Sequence, residues 1–375
     1  MAAVKLSEYK NLYIFLSFGV YTNMEAVDKT ATLPTGNFVE AVRTSCRALT
    51  EKSNKVKISR QGIDRFLSEL DKKQYEELSY DSSVILPLKF STMEEELNFI
   101  SVINLLNFGS GYRLELHKYA GRGAFDTIRY GVMAMHIGGI PMDAKTFSEI
   151  DIFKVSEIFQ FPIDQEVRHE TLDFVTMSQP TPLKPLAVGI TSTLNTTGKY
   201  LQDHGYKSLA QFILDHAKKQ PKDALYLVEA LVRAFPALHD HYVFGDDKVY
   251  LFKKAQIMVY HLWFLLRHQV PDLFDFTNID SLTVFADNVV PTMLIHLGVM
   301  EIADEWKEMI EKNVDLSVEV TTTLRAASVA ACEDIVQASN GLMNTGGLDV
   351  YLWQLGKVGD YRKIPRLQLK DTIMF

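Results

Sequence analysis

Asp287 stands four residues before Pro291 in the run TVFADNVVPTMLIHLG. Inside a helix a proline is tolerated only in the first turn, where its missing N–H would be unpaired anyway. The spacing therefore places Asp287 at or just before a helix N-terminus, where the dipole and free N–H groups favour an ionised carboxylate. Such a group can stabilise positive charge on a ligand or serve as a structural cap. A second carboxylate, Asp240, lies between His239 and His241 in AFPALHDHYVF, a grouping that suits acid–base work or a bound cation. An ordinary solvated loop explains it equally well. No further ligand follows at helical spacing, so a metal site is not supported.

Lys253 and Lys254 open the apolar stretch YLFKKAQIMVYHLW. Positive charge at a helix N-terminus is unfavourable by up to about 1 kcal/mol each, and a ligand phosphate against that end would reverse the sign. Two glycine loops, LNFGSGYRLELH and GRGAFD, precede helical patterns. They can bring N–H groups to an anion, although neither has the spacing of a phosphate or dinucleotide loop, and tight turns account for them as well.

These residues must be held by helices. Val39, Val42, Cys46 and Leu49 mark one helix face opening after Asn37, and Ile63, Phe66, Leu67 and Leu70 mark another, capped by Ser59. The segment Met93 to Asn107 places Glu94, Glu95 and Glu96 at its positive end. Helical patterns follow through Ile128, Val132 and Met135, over 186–204, 209–217 and 224–234, and from Lys253 to Arg267. A short hairpin is expected where Tyr242–Phe244 and Val249–Leu251 flank Gly245, Asp246 and Asp247. The four prolines between Phe161 and Pro185 predict a long irregular connection. The expectation is a mainly α, compact multi-helix fold with a small β-hairpin, a leader over residues 1–36 and a single helical catalytic domain over 37–375.

Of the 375 residues 47% are apolar and 23% charged, an ordinary globular composition able to bury a sizeable core. With 47 acidic against 39 basic residues the net charge is −8. No excess of Lys and Arg is left for a run of phosphates, so a nucleic-acid partner is not expected. One small anion needs only two or three local cations. Cys46 and Cys332 are the only cysteines, which excludes a disulfide framework and fits a reducing compartment. The apolar run Leu12 to Tyr21 is too short for a bilayer, which takes about 20 residues, and no cleavage pattern follows it. A cytoplasmic chain with no membrane partner is the resulting expectation.

Five ordered segments, FPALHD at Phe235, FKKAQ at Phe252, TVFADNVVPTMLIHLG at Thr283, TLRAASVAACE at Thr323 and LDVYLW at Leu348, resemble the queuosine salvage family of queuosine 5'-phosphate N-glycosylases. The likeness runs loosely from Asn37 and closely from LNTTGK at Leu194. The Asp287 segment also resembles, more distantly, the catalytic helix of helix-hairpin-helix DNA glycosylases, although VPDLFDFTNID stands where their glycine-rich hairpin would be. His239 departs from the Arg that many family members carry before the aspartate, and Asn288 from their usual residue.

The resemblance implies an N-glycosidase that frees queuine from queuosine 5'-phosphate, without a cofactor or metal, acting as a monomer on a small-molecule substrate. It makes Asp287 the catalytic carboxylate and Asp240 the contact to the cationic arm of the base. Phe108, Tyr112 and Phe235 become candidate stacking faces, His239 a neighbour of the substrate, Lys253 or Lys254 the phosphate ligand, and Arg325 a reserve cation. A helical protein that carries queuine without cleaving anything is the alternative.

Overall fold

The computed structural model describes residues 32–375 with the exception of 86 and 173. Most of the expected leader, including the apolar run from Leu12, lies outside the described residues. The first helix, α1 (Phe38–Lys52), is capped by the side chain of Asn37, which accepts the N–H groups of Val39 and Glu40. A short strand β1 (Val56–Ile58) follows. Helix α2 (Met93–Leu105) starts at the Thr92 cap with its three glutamates in the first turn, as the dipole favours. Helices α3 (Arg113–Ala120) and α4 (Ala124–Ile137) are separated by Gly121 in the left-handed region, at φ 70°.

The stretch expected to be irregular contains a hairpin instead, β2 (Asp164–Arg168) paired antiparallel with β3 (Thr176–Pro180). Strand β3 is exposed along its whole length, so it carries no alternation of apolar and polar residues to betray it. Helices α5 (Lys184–Asp203) and α6 (Ala224–Ala234) come next. The expected second hairpin is formed by β4 (His241–Phe244) and β5 (Asp247–Tyr250), with His241 opposite Tyr250. It leads directly into α7 (Lys253–Leu266).

Helix α8 (Val289–His296) has Pro291 in its first turn, as the spacing requires. Strand β6 (Met300–Ile302) returns to pair with β1, a long-range contact that three-residue strands do not advertise in sequence. Helices α9 (Val318–Ala338) and α10 (Thr345–Leu355) complete the set used below. Among the described residues the three sheets are all two-stranded, and the architecture is mainly α.

Helix α9 is buried on every face from Thr321 to Cys332, the mark of a helix inside the core rather than on it. It packs against α1, α8 and α10, while α7 packs against α2 and α6. These two groups bring the N-termini of α7 and α8 and the side of α10 to one cavity. The first glycine loop serves packing: a Cβ on Gly111 would sit 2.0 Å from the carbonyl oxygen of Leu369. The C-terminal segment thus lies directly on the start of α3, which only glycine permits. No helix among the described residues is long and apolar enough to cross a membrane.

Candidate active site

Asp287 lines a cavity of about 320 Å³. Its Oδ1 accepts the N–H groups of Val289 at 2.6 Å and Val290 at 3.3 Å, so the carboxylate sits on the positive end of α8. The loop that carries it is pinned from two helices. Arg325 of α9 donates its Nε–H to the carbonyl of Ala286 at 2.8 Å, and Asp349 of α10 accepts the N–H of Phe285 at 2.7 Å.

Asp349 lines the same cavity. Burial, followed by the negative charge of Asp287, raises its pKa to about 8. Near neutrality it is therefore largely a protonated acid able to donate a hydrogen bond. Lys253 also lines the cavity, where its Nζ donates to the carbonyl of Asn107 at 2.9 Å and to the Asn107 side-chain oxygen at 3.0 Å. Burial lowers its pKa to about 8, with Asp287 the strongest opposing influence.

Two further groups come to this cavity that the sequence reading did not select. One is an ion pair, His261 of α7 with Asp81, at 3.0 Å and buried on both sides. Burial raises the pKa of Asp81, but the hydrogen bond and charge of His261 outweigh it and hold the carboxyl below its ordinary value. The other is a cationic cluster of Arg113, His117, Arg362 and Arg366. Burial and then the charge of Arg113 lower Arg366 to about 10, while burial and then Arg362 lower Arg113. His117 is lowered by burial and then by Arg113 and Arg362. Like charges that depress one another around a cavity form a site that an anion would relieve.

The other expected site residues lie elsewhere. Asp240 is 1% exposed and does not line the cavity. Its two oxygens take the Arg325 guanidinium at 3.0 and 2.7 Å, and one of them also accepts the backbone N–H of Lys253 at 3.1 Å. The pair is a buried tie between the β4 turn, the N-terminus of α7 and α9. Arg325, itself fully buried, is occupied by this pair, with the Phe375 ring 4.3 Å from its guanidinium carbon.

Lys254 does not line the cavity; it donates to the carbonyl of Leu105 at 3.1 Å beside the Phe108 ring, and burial pushes its pKa well down. His239 packs its ring on α6, with Nε2 2.9 Å from the Val232 carbonyl. Phe235 is buried edge-on against Tyr200 and Phe212. Tyr112 is buried and donates to Asp371 at 2.7 Å. Of the three aromatic candidates, Phe108 alone faces the cavity.

Asp349 lay within the quoted LDVYLW and Arg113 within the first glycine loop, so their segments carried a signal. Arg362 and Arg366 follow no periodic pattern, and Asp81 meets His261 only through the tertiary fold.

The helical frame thus encloses a dipolar cavity, with the carboxylate of Asp287 at a helix N-terminus and a cluster of arginines on its wall. The family model for the queuosine salvage protein matches residues 87–373, and the chain belongs to that family. A queuosine 5'-phosphate N-glycosylase/hydrolase of Schizosaccharomyces pombe is 30% identical over 167 residues, covering 44% of this chain and 46% of the relative. The proteins of that name from Dictyostelium discoideum and Mus musculus are 32% identical over 142 residues and 27% identical over 226. These matches cover 37% and 58% of this chain, and 42% and 60% of the respective relatives. The chain thus matches about half the length of its curated relatives.

Proposed function

We propose that this chain hydrolyses the N-glycosidic bond of queuosine 5'-phosphate, releasing queuine and ribose 5-phosphate, with residues 37–375 acting as one catalytic unit. The observation that carries the reading is the carboxylate of Asp287 on a cavity that also holds a cationic cluster. As the bond to the base breaks, positive charge develops on the sugar, and a fixed carboxylate beside the anomeric carbon stabilises it. Asp287, held by two N–H groups and anchored through Ala286 and Phe285, is preorganised for that task. It then takes a proton from the attacking water.

A deazapurine lacks the ring nitrogen through which a purine is commonly activated as a leaving group. Asp349, protonated near neutrality, supplies a hydrogen bond to the departing base. Phe108 offers a stacking face for the flat ring system. For the phosphate, Arg113, Arg362 and Arg366 offer fork-shaped donors around the cavity. Lys253, already bound to Asn107 and near Asp287, is left to the ribose or to the phosphate edge nearest it. The substrate is a free nucleotide rather than a nucleic acid, taken by a cytoplasmic monomer that needs no cofactor.

Incubation with queuosine 5'-phosphate, followed by a chromatographic search for free base, tests the reading. Release of queuine and ribose 5-phosphate is expected. Tight binding with no release would favour the carrier alternative and overturn hydrolysis.

A further inference from the structure

Lys357 lines the cavity together with Arg113, Arg362 and Arg366. The residue is exposed at the rim, but its amine is folded back over an aromatic corner. Trp353 of α10 and Phe125 of α4 meet there edge to face, with ring centres 5.3 Å apart, and both line the cavity. The Lys357 Nζ stands 3.0 Å from the centre of the Trp353 ring and 5.5 Å from that of Phe125. Among the described residues it has no hydrogen-bond acceptor and no ion-pair partner, whereas Lys253 is tied to Asn107.

The backbone fixes where that amine can go. Lys357 follows Gly356, the turn that ends α10, and a Cβ on Gly356 would sit 2.9 Å from the Val289 side chain. Val289 opens α8 and gives its N–H to Asp287, so the turn rests on the helix end that holds this carboxylate. The Gly356 carbonyl in turn accepts a terminal nitrogen of Arg366 at 2.7 Å. The Arg366 guanidinium is thereby held beside the backbone of Lys357. An anion on Arg366 then lies within the span of the flexible four-carbon lysine stem.

The arginines leave room for a further donor. Arg366 uses one terminal nitrogen on Gly356, and Arg113 uses one on the Arg362 carbonyl at 3.0 Å, so neither presents its whole fork. A phosphate monoester has three terminal oxygens, and an ammonium serves such a group as a mobile point charge. A cation resting on an exposed ring is held more weakly than one hydrogen-bonded to phosphate. Desolvation lowers the pKa of Lys357 to about 8; Asp126 and then Asp81 oppose the fall, while Arg129 and Arg366 add to it. A phosphate between Lys357 and Arg366 would replace that repulsion with attraction.

The geometry points to Lys357 as a specificity-determining cation that leaves the Trp353 ring for the phosphate monoester bound by Arg366. The identity of the substrate rests on the hydrolase reading, where this contact helps to select the 5'-nucleotide over its nucleoside. The contact itself needs no turnover.

Calorimetry with ribose 5-phosphate and the full chain tests it directly. Lys357→Met keeps an apolar stem on the rings and loses the charge. Ribose 5-phosphate should bind that variant about tenfold more weakly, as loss of one charge-assisted hydrogen bond gives. Lys363→Met removes the same charge from an exposed lysine that is off the cavity and paired with Asp360, and should change binding by less than about twofold. Equal losses in the two variants would show a general effect of charge and overturn the proposal. So would an unchanged affinity in Lys357→Met, or no binding to the wild type.

Tryptophan emission reads the movement. It should shift as the cation leaves the indole, in the wild type and not in Lys357→Met; no shift in either, or the same shift in both, would count against it. Hydrolysis is measured separately on queuosine 5'-phosphate. If no base is released while ribose 5-phosphate binding still depends on Lys357, the hydrolase reading fails and the phosphate contact stands. If base is released but Lys357→Met binds ribose 5-phosphate as the wild type does, the contact fails and the hydrolase reading stands.

Discussion

Asp349 holds the loop that aims Asp287: its carboxylate takes the N–H of Phe285, two residues ahead of Asp287, at 2.7 Å, and both acids open on one cavity. The two carboxyls are thereby given different work. Asp287 faces the helix dipole and two backbone donors, which suit an anion. Asp349 is buried beside that anion and keeps its proton up to about pH 8. Such a separation of environments is how a pair of like side chains divides acid and base roles.

Asp287→Asn should abolish queuine release, with a fall in kcat of at least about a hundredfold, as loss of a transition-state electrostatic partner gives. Asparagine is as good a cap as aspartate, so thermal stability should change by no more than ~1 kcal/mol. Steady-state assay beside a melting curve checks both. Retained turnover would remove Asp287 from the chemistry, and a collapsed melting temperature would make the variant uninformative about it.

The raised pKa of Asp349 has a stability consequence whose sign is fixed. In the folded state the group holds its proton to about pH 8, whereas unfolded it releases it near 3.8, the ordinary aspartate value. The unfolded chain binds fewer protons between those limits, so this group's contribution is full below the lower one and is lost as pH rises through the upper. Asp349→Asn keeps an acceptor for Phe285 but cannot ionise. Its melting temperature should decline less between about pH 5 and 8 than that of the wild type. Parallel slopes for the two proteins would contradict the assignment.

For the phosphate, the cationic cluster and Lys253 make different forecasts. Arg366→Met should raise KM for queuosine 5'-phosphate by about tenfold to a hundredfold, the worth of one charge-assisted hydrogen bond. The effect on the unphosphorylated nucleoside should be small. Lys253→Ala, if Lys253 touches the ribose, should impair both substrates alike. A preference for the nucleotide that survives Arg366→Met and disappears in Lys253→Ala would return the phosphate to the lysine.

What the sequence made legible was local. The Pro291 spacing located the N-terminus of α8 and the position of Asp287 before it, and the starts of α1, α6 and α7 followed from apolar periodicity, whereas α9, buried on every face, and α10 carried no such pattern. Which polar side chain faces the cavity is decided by partners far away in the chain. Asp240 is claimed by Arg325, Tyr112 by Asp371 and Lys254 by the Leu105 carbonyl, so residue types that suit a ligand were already occupied. Conversely, Arg113 and Arg366 become neighbours only because Gly111 lets the C-terminal segment lie on the loop before α3. The β2–β3 hairpin escaped notice for another reason: an exposed strand has no buried face to impose a pattern.

The Asp240–Arg325 pair separates a structural role from a ligand contact by experiment. Both partners are essentially without solvent exposure, and Arg325 also holds the Ala286 carbonyl beside Asp287. Removing one partner leaves an uncompensated buried charge, so Asp240→Asn or Arg325→Met should cost ~3–5 kcal/mol of stability. The double variant Asp240→Leu with Arg325→Met removes both charges and should recover part of that loss, because an apolar pair of similar volume often replaces a buried ion pair without penalty. Were Asp240 a contact to the base instead, its replacement would raise KM for the nucleotide while leaving the melting temperature near that of the wild type. Chemical denaturation of the two single variants and the double variant, with KM measured well below each melting point, decides between the two. A large loss of stability in the singles, partly reversed in the double, is the expected result.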